Sequence, residues 1–263
     1  MTDLYSYPDE NDKILLTFIQ DQEPYQGYWD ESERKALHRL GNEIGGLLAP
    51  RDTVRALDAG CGEGRALPWI AGFAERITAL DPDQGRLAKA SARVLPSPTH
   101  ARFDNVPISD VDGGPYQLIV CNHVVQHVST SLVREILKTF RRIAAPETFL
   151  IMSYSRSPVG QESCGIAQME DGAHAFEPID RQGFDRFAET GGRPGYLPVR
   201  LIDPASFAAD ALTAGWSTVW SWTFHLMDQP SAALEQDRDE VVNANQALCQ
   251  RSNGDIYVLM RPV

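Results

Sequence analysis

Short apolar segments alternate with amphipathic segments through the middle of the chain, starting near residue 53. The apolar segments predict five strands, over residues 54–57, 76–80, 100–103, 116–121 and 148–154. The amphipathic segments predict helices over residues 65–75, 82–94 and 129–144. Because this alternation is typical of a parallel sheet covered by helices, we expect an α/β fold.

The N-terminal region and one internal segment depart from this alternation. Helical spacing of apolar residues predicts a short helix over 14–19 and a longer one over 31–48, so residues 1–49 are interpreted as an N-terminal helical cap. Residues 155–202 are rich in Gly, Pro and mixed charge. Since structureless loops of that length are rare in compact domains, they are interpreted as a lid or small subdomain.

Two helix-cap signals and two C-terminal strands complete the predicted architecture. Asp81-Pro82 and Asp203-Pro204 each predict an N-cap followed by proline at the first helical position, and Gly215 predicts the end of the second helix. Strands are predicted over 216–226 and 255–260, with an acidic helix over 228–250 between them. The predicted fold of residues 50–263 is therefore a doubly wound, mostly parallel, seven-stranded sheet with helices on both faces.

The sharpest chemical signal is a glycine-rich loop after the first strand, with the sequence LDAGCGEGR over residues 57–65. A dinucleotide-binding loop needs a third glycine where this chain has Arg65, and the Asp58 carboxylate would repel a pyrophosphate. That carboxylate suits an ammonium or sulfonium group instead. With Asp81 ending the next strand, the loop favours S-adenosylmethionine over NAD. Alternatively, Asp81 is only the N-cap before Pro82, and Asp58 only satisfies loop amides.

This loop resembles motif I of the class I S-adenosylmethionine-dependent methyltransferases, in their small-molecule branch, over about residues 50–154. The resemblance implies that the methionine part of the cofactor lies against the loop residues Gly60, Cys61, Gly62 and Gly64. It also implies that Asp58 organises contacts near the ammonium group. Asp81, followed by Pro82, would accept hydrogen bonds from both ribose hydroxyls.

The resemblance continues at the later strand ends. The next family motif would contact adenine through Asp104, Asn105 and Val106, although this segment could also be a plain turn. Asn122, at the end of the fourth strand, would border the methyl group. Residues 124–128, VVQHV, resemble a stretch common in the small-molecule branch, with Gln126 in place of the usual acid or histidine.

An aromatic segment near the N-terminus includes Tyr25, Tyr28 and Trp29. It resembles the segment that folds over the cofactor in related enzymes, so Tyr28 and Trp29 are further candidates for cofactor binding. Aromatic faces are good neighbours for a sulfonium. The alternative is that these side chains only pack against the N-terminal helices and stabilise their position.

Methyl transfer is an in-line displacement, so such an enzyme mainly aligns the acceptor and excludes water. Three histidines are candidates for catalytic contact with the acceptor: His123, His127 and His225. His123 directly follows the fourth strand, whereas His127 is interpreted as architectural. His225 could instead be a solvent-exposed histidine at a strand end. Arginines of residues 155–202 could clamp an acceptor carboxylate or phosphate, or form a solvated surface.

Composition narrows the function further. With 24 Lys and Arg against 36 Asp and Glu, the net charge is −12, which argues against a nucleic-acid partner and against an anionic membrane. Four scattered cysteines predict a reducing cytoplasm and no metal site. We therefore expect a cytoplasmic methyltransferase, monomer or homodimer, acting on a small organic molecule in specialised metabolism. Alternatives are an isomerase or cyclase of the same fold, and a non-catalytic cofactor-binding protein.

Overall fold

The computed structural model describes residues 28–157, 160–170, 173–190, 195–225 and 254–263. The helices in these ranges are α1 (Tyr28–Gly45), α2 (Leu67–Ile70), α3 (Gln84–Ser91), α4 (Thr130–Ile143), α5 (Arg181–Glu189) and α6 (Pro204–Thr213). The strands are β1 (Arg55–Ala59), β2 (Arg76–Leu80), β3 (His100–Asp104), β4 (Tyr116–Asn122), β5 (Ala144–Ser155), β6 (Ser163–Glu170), β7 (Ala173–Ile179), β8 (Tyr196–Leu201), β9 (Trp216–Phe224) and β10 (Asp255–Pro262). None of these described helices has the length and apolar composition of a membrane span. The helices predicted over 14–19 and 228–250 lie outside the described residues.

Seven strands form the main sheet, in the order β3-β2-β1-β4-β5-β10-β9. Strands β1 to β5 run parallel, and β10 is antiparallel to both of its neighbours, β5 and β9. The prediction of a mostly parallel, seven-stranded sheet is therefore confirmed. The strand order reverses at β1 and β4, and in open α/β sheets ligands bind beyond the carboxyl ends of the strands at such a point.

Helices cover both faces of this sheet with separate apolar cores. On one face, Leu137 and Phe140 of α4 are fully buried, and the indole of Trp216 donates to the carbonyl oxygen of Leu137 at 3.0 Å. On the other face, Leu40 and Ile44 of α1 are fully buried beside α2 and α3. The helix of the predicted N-terminal cap is thus part of the core of the sheet.

The start of α3 corrects one prediction. The N-cap is Asp83, whose carboxylate accepts a hydrogen bond from the amide of Arg86 at 3.0 Å, so the N-cap predicted at Asp81 is wrong. The Asp81 carboxylate instead accepts the amide of Gly62 from the loop after β1. At the second predicted cap, Asp203 accepts a hydrogen bond from the amide of Ser206 at 3.1 Å, as expected.

The helix predicted over residues 65–75 is shortened to the single turn of α2. Pro68 has no amide N–H to donate, and glycine at position 72 disfavours helix. The amide of Gly72 bonds to the carbonyl of Trp69, three residues back, at 3.0 Å. The segment therefore continues as turns after Ile70, while α2 itself buries Leu67 and Ile70 against the sheet.

Residues 155–202 contain a small folded unit. Strand β6 pairs antiparallel with β7 and β8, and α5 contributes the buried Phe184 to a small core of this unit. The amide of Arg200 donates to the carbonyl of Gln126 at 2.9 Å, and the amide of Thr130 donates to the carboxylate of Asp185 at 2.8 Å. These bonds fasten the insertion beside the carboxyl end of β4.

Candidate functional site

The candidate site lies along the edge of the main sheet where the parallel strands end. Asp81 follows β2, Asp104 ends β3, and His123 follows β4. At the same edge, His225 follows β9 and Asp255 begins β10. The topology thus collects polar residues from distant parts of the chain beside the glycine loop that follows β1.

The glycine loop is a tight turn fixed by backbone hydrogen bonds. The amides of Gly60 and Cys61 both donate to the carbonyl of Leu80 at 2.9 Å, and the amide of Gly64 donates to the carbonyl of Cys61 at 2.8 Å. Gly60, Gly62 and Gly64 have φ angles of 72°, 52° and 76°, in the left-handed region that favours glycine. Burial raises the pKa of the Cys61 thiol, so the thiol stays protonated.

Packing within the chain itself also requires glycine in this loop. A Cβ atom at Gly60 would lie 2.5 Å from Cγ2 of Val124, and one at Gly64 would lie 2.7 Å from Cδ1 of Leu67. Gly60 and Gly64 are therefore explained by neighbouring protein atoms. The case for a ligand rests instead on the carboxylates beside the loop.

Asp58 is a buried carboxylate, 2 % exposed, near the end of β1. Within the described part of the chain, its Oδ2 atom has no hydrogen-bond partner. Burial and the charge of Asp81 raise the pKa of Asp58 to about 7, while Arg65 opposes the rise. A buried carboxylate without a partner raises the free energy of the folded chain. This position therefore favours a cationic group of a ligand.

Asp81 accepts one backbone hydrogen bond at each carboxylate oxygen. The amide of Gly62 donates to Oδ2 at 2.8 Å, and the amide of Asp83 donates to Oδ1 at 2.9 Å. Burial raises the pKa of Asp81, although these two bonds and Arg86 oppose the rise. An ionised carboxylate offers about four lone-pair sites, so each oxygen retains one for a ligand hydroxyl.

The residues predicted to contact adenine have other contacts as well. The side-chain amide of Asn105 donates to the carbonyl oxygens of Asp81 and the proline after it, at 3.0 and 2.9 Å. Asp104 forms an ion pair with Arg102 at 2.7 Å, and Val106 packs against the core beneath α4. The Asn105 side chain therefore fixes the loop that presents Asp81.

His123 has a φ angle of 54°, which is uncommon for a residue other than glycine. Its amide donates to the carbonyl of Ser153 at 2.9 Å, and the Ser153 hydroxyl donates to Oδ1 of Asn122 at 3.3 Å. The half-buried ring stands edge-on to Phe224, with ring centroids 6.3 Å apart. Burial lowers the pKa of His123, although Asp255 opposes this. Asn122 thus supports the loop, and His123 presents a neutral ring at the edge.

His225 is 1 % exposed, so the alternative of a solvent-exposed histidine is wrong. Its Nδ1 lies 2.7 Å from Oδ2 of Asp255, and the Ser155 hydroxyl donates to Oδ1 of Asp255 at 2.9 Å. Burial acts to raise the pKa of Asp255, but the electrostatic effect of His123 and the hydrogen bonds from His225 and Ser155 outweigh it and lower the pKa. Since the amide of His225 also donates to the hydroxyl of Ser32 at 3.0 Å, this buried pair connects β9, β10 and α1.

His127 joins the loop after β4 to the insertion. It is 4 % exposed, and its Nδ1 donates to the carbonyl oxygen of Pro198 in β8 at 2.7 Å. Because a carbonyl oxygen can only accept, the neutral ring carries its proton on Nδ1. This contact supports an architectural role for His127.

The burial of His127 predicts a dependence of stability on pH. Burial lowers the pKa of His127 from 6.5 to about 4. The unfolded chain therefore binds this proton first, and the free energy of unfolding should fall as the pH drops from about 6.5 to about 4. His127→Gln can still donate to the Pro198 carbonyl but does not titrate, so it should weaken this dependence. Urea unfolding across that pH range measures it; an equal pH slope in both proteins would contradict the prediction.

Two of the insertion's arginines, which were candidates for binding an acceptor carboxylate or phosphate, contact protein groups instead. Arg200 is 4 % exposed, and its Nη1 donates to the Thr130 hydroxyl at 2.8 Å. Arg181 pairs with Glu162 at 2.6 Å. Arg193 lies outside the described residues. Arg181 therefore forms an ion pair within the insertion, and Arg200 links the insertion to α4.

The aromatic candidates Tyr28 and Trp29 begin helix α1. Their side chains, and all of Tyr25, lie outside the described part of the structure. Their contact with a cofactor stays a prediction.

Sequence reasoning missed Asp255, Ser155 and Ser153. The serines end a strand that was predicted, and Asp255 begins the last one. The sequence signal that could have identified them is a polar residue at the end or start of a predicted strand, because such residues can lie together at one edge of the sheet. Asp255 could not be assigned to this edge without knowing that β10 runs antiparallel between β5 and β9.

The fold is that of a class I methyltransferase. Residues 25–182, more than half of the chain, match a family model described as "Methyltransferase domain". The chain belongs to this methyltransferase domain family.

A curated relative resembles part of the chain. Trans-aconitate 2-methyltransferase from Streptomyces avermitilis is 38 % identical over 112 residues, which cover 38 % of this chain and 41 % of that protein. This chain therefore spans less than half of the curated relative's length.

Solved structures share the fold across most of the chain. Magnesium protoporphyrin IX methyltransferase from Synechocystis PCC 6803 has a TM-score of 0.57 at 14 % identity, covering 97 % of this chain and 94 % of the other. Burkholderia thailandensis 1,6-didemethyltoxoflavin-N1-methyltransferase has a TM-score of 0.53 at 17 % identity, covering 99 % and 92 %. At these identities the matches show the fold.

Proposed function

We propose that this chain transfers the methyl group of S-adenosylmethionine to a small organic acceptor. The observation that carries this proposal is the pair of buried carboxylates at the glycine loop. Asp58 has an oxygen without a described partner, and Asp81 retains lone-pair sites on both oxygens. A molecule with an ammonium group and a ribose diol fits both. The two structural relatives named above were each solved with S-adenosylhomocysteine bound, which supports this choice.

Each part of the cofactor has a proposed counterpart in the chain. Asp58 would accept a hydrogen bond from the ammonium group, Asp81 would accept both ribose hydroxyls, and Asp104 would accept the adenine amino group. When bound, S-adenosylmethionine supplies a strongly electrophilic methyl group. The protein therefore has to align the acceptor and exclude water, and the folded insertion beside β4 is the proposed element for this.

A small-molecule acceptor is supported by the relatives and by charge. The relatives are named for trans-aconitate, magnesium protoporphyrin IX and 1,6-didemethyltoxoflavin, and the net charge of −12 opposes nucleic acid. Among the described residues, Cys61, Cys121 and Cys164 are buried and form no disulfide, which fits a reducing cytoplasm. We place the chain in specialised metabolism, as a monomer or homodimer.

Calorimetric titration with S-adenosylhomocysteine tests the cofactor assignment. Because the pKa of Asp58 is about 7, its ionised fraction increases between about pH 6 and pH 8, and the affinity should rise with it. Asp58→Asn keeps the size of the side chain and removes its charge. This variant should bind more weakly, without the rise.

NADH serves as the control ligand, and no binding is expected. Binding of NADH in place of S-adenosylhomocysteine would overturn the assignment. An affinity of Asp58→Asn equal to that of the unmodified chain across this pH range would remove Asp58 from the site.

A further inference from the structure

We propose that Gln126 fixes His123 in the tautomer that carries its proton on Nε2, so that His123 donates a hydrogen bond to the acceptor and does not take a proton from it. The acceptor class that follows is a carboxylate, which needs no base. The first half of this proposal concerns the chain alone, and the second half rests on the proposed methyl transfer.

The orientation of the Gln126 amide is set by a backbone group. Gln126 is 4 % exposed, and its Oε1 accepts a hydrogen bond from the amide of Ser155 at 3.1 Å. Because a backbone N–H can only donate, the oxygen of Gln126 must face Ser155. The side-chain nitrogen of Gln126 then lies 3.4 Å from Nδ1 of His123.

This orientation determines the tautomer of His123. The NH2 group of Gln126 can only donate, so Nδ1 of His123 must offer a lone pair, and the neutral ring carries its proton on Nε2. Among the described residues, no group is hydrogen-bonded to Nε2. The half-buried ring therefore has a donor available at the site edge.

The charged groups around His123 are already engaged with one another. Its pKa responds to Asp255, Arg65, Glu33 and His225, after the larger effect of burial, which lowers it. Arg65 pairs with Glu33 at 2.7 Å, and His225 contacts Asp255 at 2.7 Å. Because both acids are bonded to these partners, neither is positioned as a base toward an acceptor.

This arrangement favours an acceptor that attacks without losing a proton. His127 and His225 are 4 % and 1 % exposed, and His123 presents an N–H, so the histidines at this edge give a hydroxyl acceptor no accessible base. A carboxylate is ionised at neutral pH and can accept the Nε2 proton of His123 with one oxygen. Its other oxygen forms the new bond to the methyl carbon as the carbon–sulfur bond breaks. The electron pair stays on sulfur, and no proton moves.

Side-chain NMR tests the tautomer without cofactor or activity. Long-range ¹H–¹⁵N correlations should show His123 protonated on Nε2, with the exposed His38 and His100 as internal references. Gln126→Glu keeps an oxygen for the Ser155 amide but presents a second acceptor to Nδ1. It should move the proton to Nδ1 and raise the pKa of His123.

Gln117→Glu is the matched control. The side-chain oxygen of Gln117 also accepts a backbone amide, that of Arg55, at 2.9 Å, but it lies at the opposite end of β4. This variant should leave the His123 spectrum unchanged. An Nδ1–H tautomer in the unmodified chain, or an unchanged tautomer in Gln126→Glu, would overturn the role of Gln126.

The acceptor class is tested with tritium-labelled S-adenosylmethionine and a panel of carboxylic acids and phenols that includes trans-aconitate and phenol. A methyl ester releases its label as volatile methanol in mild alkali, and we expect base-labile label on a carboxylic acid. Base-stable label on a phenol would overturn the carboxylate assignment while leaving the NMR result intact. Failure of the proposed function would instead appear as absence of S-adenosylhomocysteine binding.

Discussion

Asp81→Ala should lower the affinity for S-adenosylhomocysteine by about a hundredfold or more. The substitution removes the carboxylate proposed to accept both ribose hydroxyls. Hydrogen bonds to a charged group contribute about 1.5–3 kcal/mol each, and about 1.4 kcal/mol corresponds to a tenfold change in affinity. It also removes the acceptor of the Gly62 and Asp83 amides, so the loop loses support as well. Calorimetric titration measures the affinity.

Asp83→Ala separates these two effects. It removes the N-cap of α3, at a cost of about 1 kcal/mol in stability, but keeps the backbone N–H that donates to Asp81. Its affinity should stay within a few-fold of the unmodified chain. Equal losses in both variants would show that loop stability, and not the Asp81 carboxylate, controls binding.

Asp255→Ala should reduce the free energy of unfolding by about 3–5 kcal/mol, the range found when one member of a buried polar pair is removed. The substitution leaves Nδ1 of His225 and the Ser155 hydroxyl without their buried acceptor. Urea unfolding at neutral pH measures the loss. A loss below about 1 kcal/mol would show that the pair contributes little to stability.

The pH dependence of the Asp255 contribution to stability follows from the direction of its pKa shift. The pKa of Asp255 is lowered in the folded chain, below the value of about 3.9 of an unfolded aspartate. Its contribution is therefore fully present above about pH 4 and is lost as the pH falls through the folded pKa. Asp255→Asn keeps an oxygen that can accept the Ser155 hydroxyl and should lose less stability than the alanine variant.

The main sheet could be predicted because strand and helix periodicity are local. The predicted strand over 76–80 matches β2, and the predicted helix over 129–144 matches α4 within a residue at each end. The N-cap at Asp81 failed because Asp81 and Asp83 are equally good local signals. The choice between them is made by the Gly62 amide, which donates to Asp81 from the loop after β1.

The site could be predicted only where its residues share a motif. Asp58 and Asp81 flank a glycine loop, so spacing identified them. Asp255 and Ser155 are a hundred residues apart and form their hydrogen bond only through the antiparallel pairing of β10 with β5. The contact of Gln126 with His123 likewise depends on a backbone amide of β5, which no spacing within residues 124–128 reveals.

The position of β10 between β5 and β9 has a consequence for synthesis. The ribosome synthesises β5 and β9 before β10. The edges of β5 and β9 that pair with β10 therefore stay unpaired until residues 255–262 emerge. Asp255 arrives on that same strand, and His225 acquires its carboxylate partner only when the gap is filled. Long-range pairing of this kind is slow and leaves edges open to aggregation. A nascent chain stalled before residue 255 therefore has an incomplete sheet and lacks the His225–Asp255 pair.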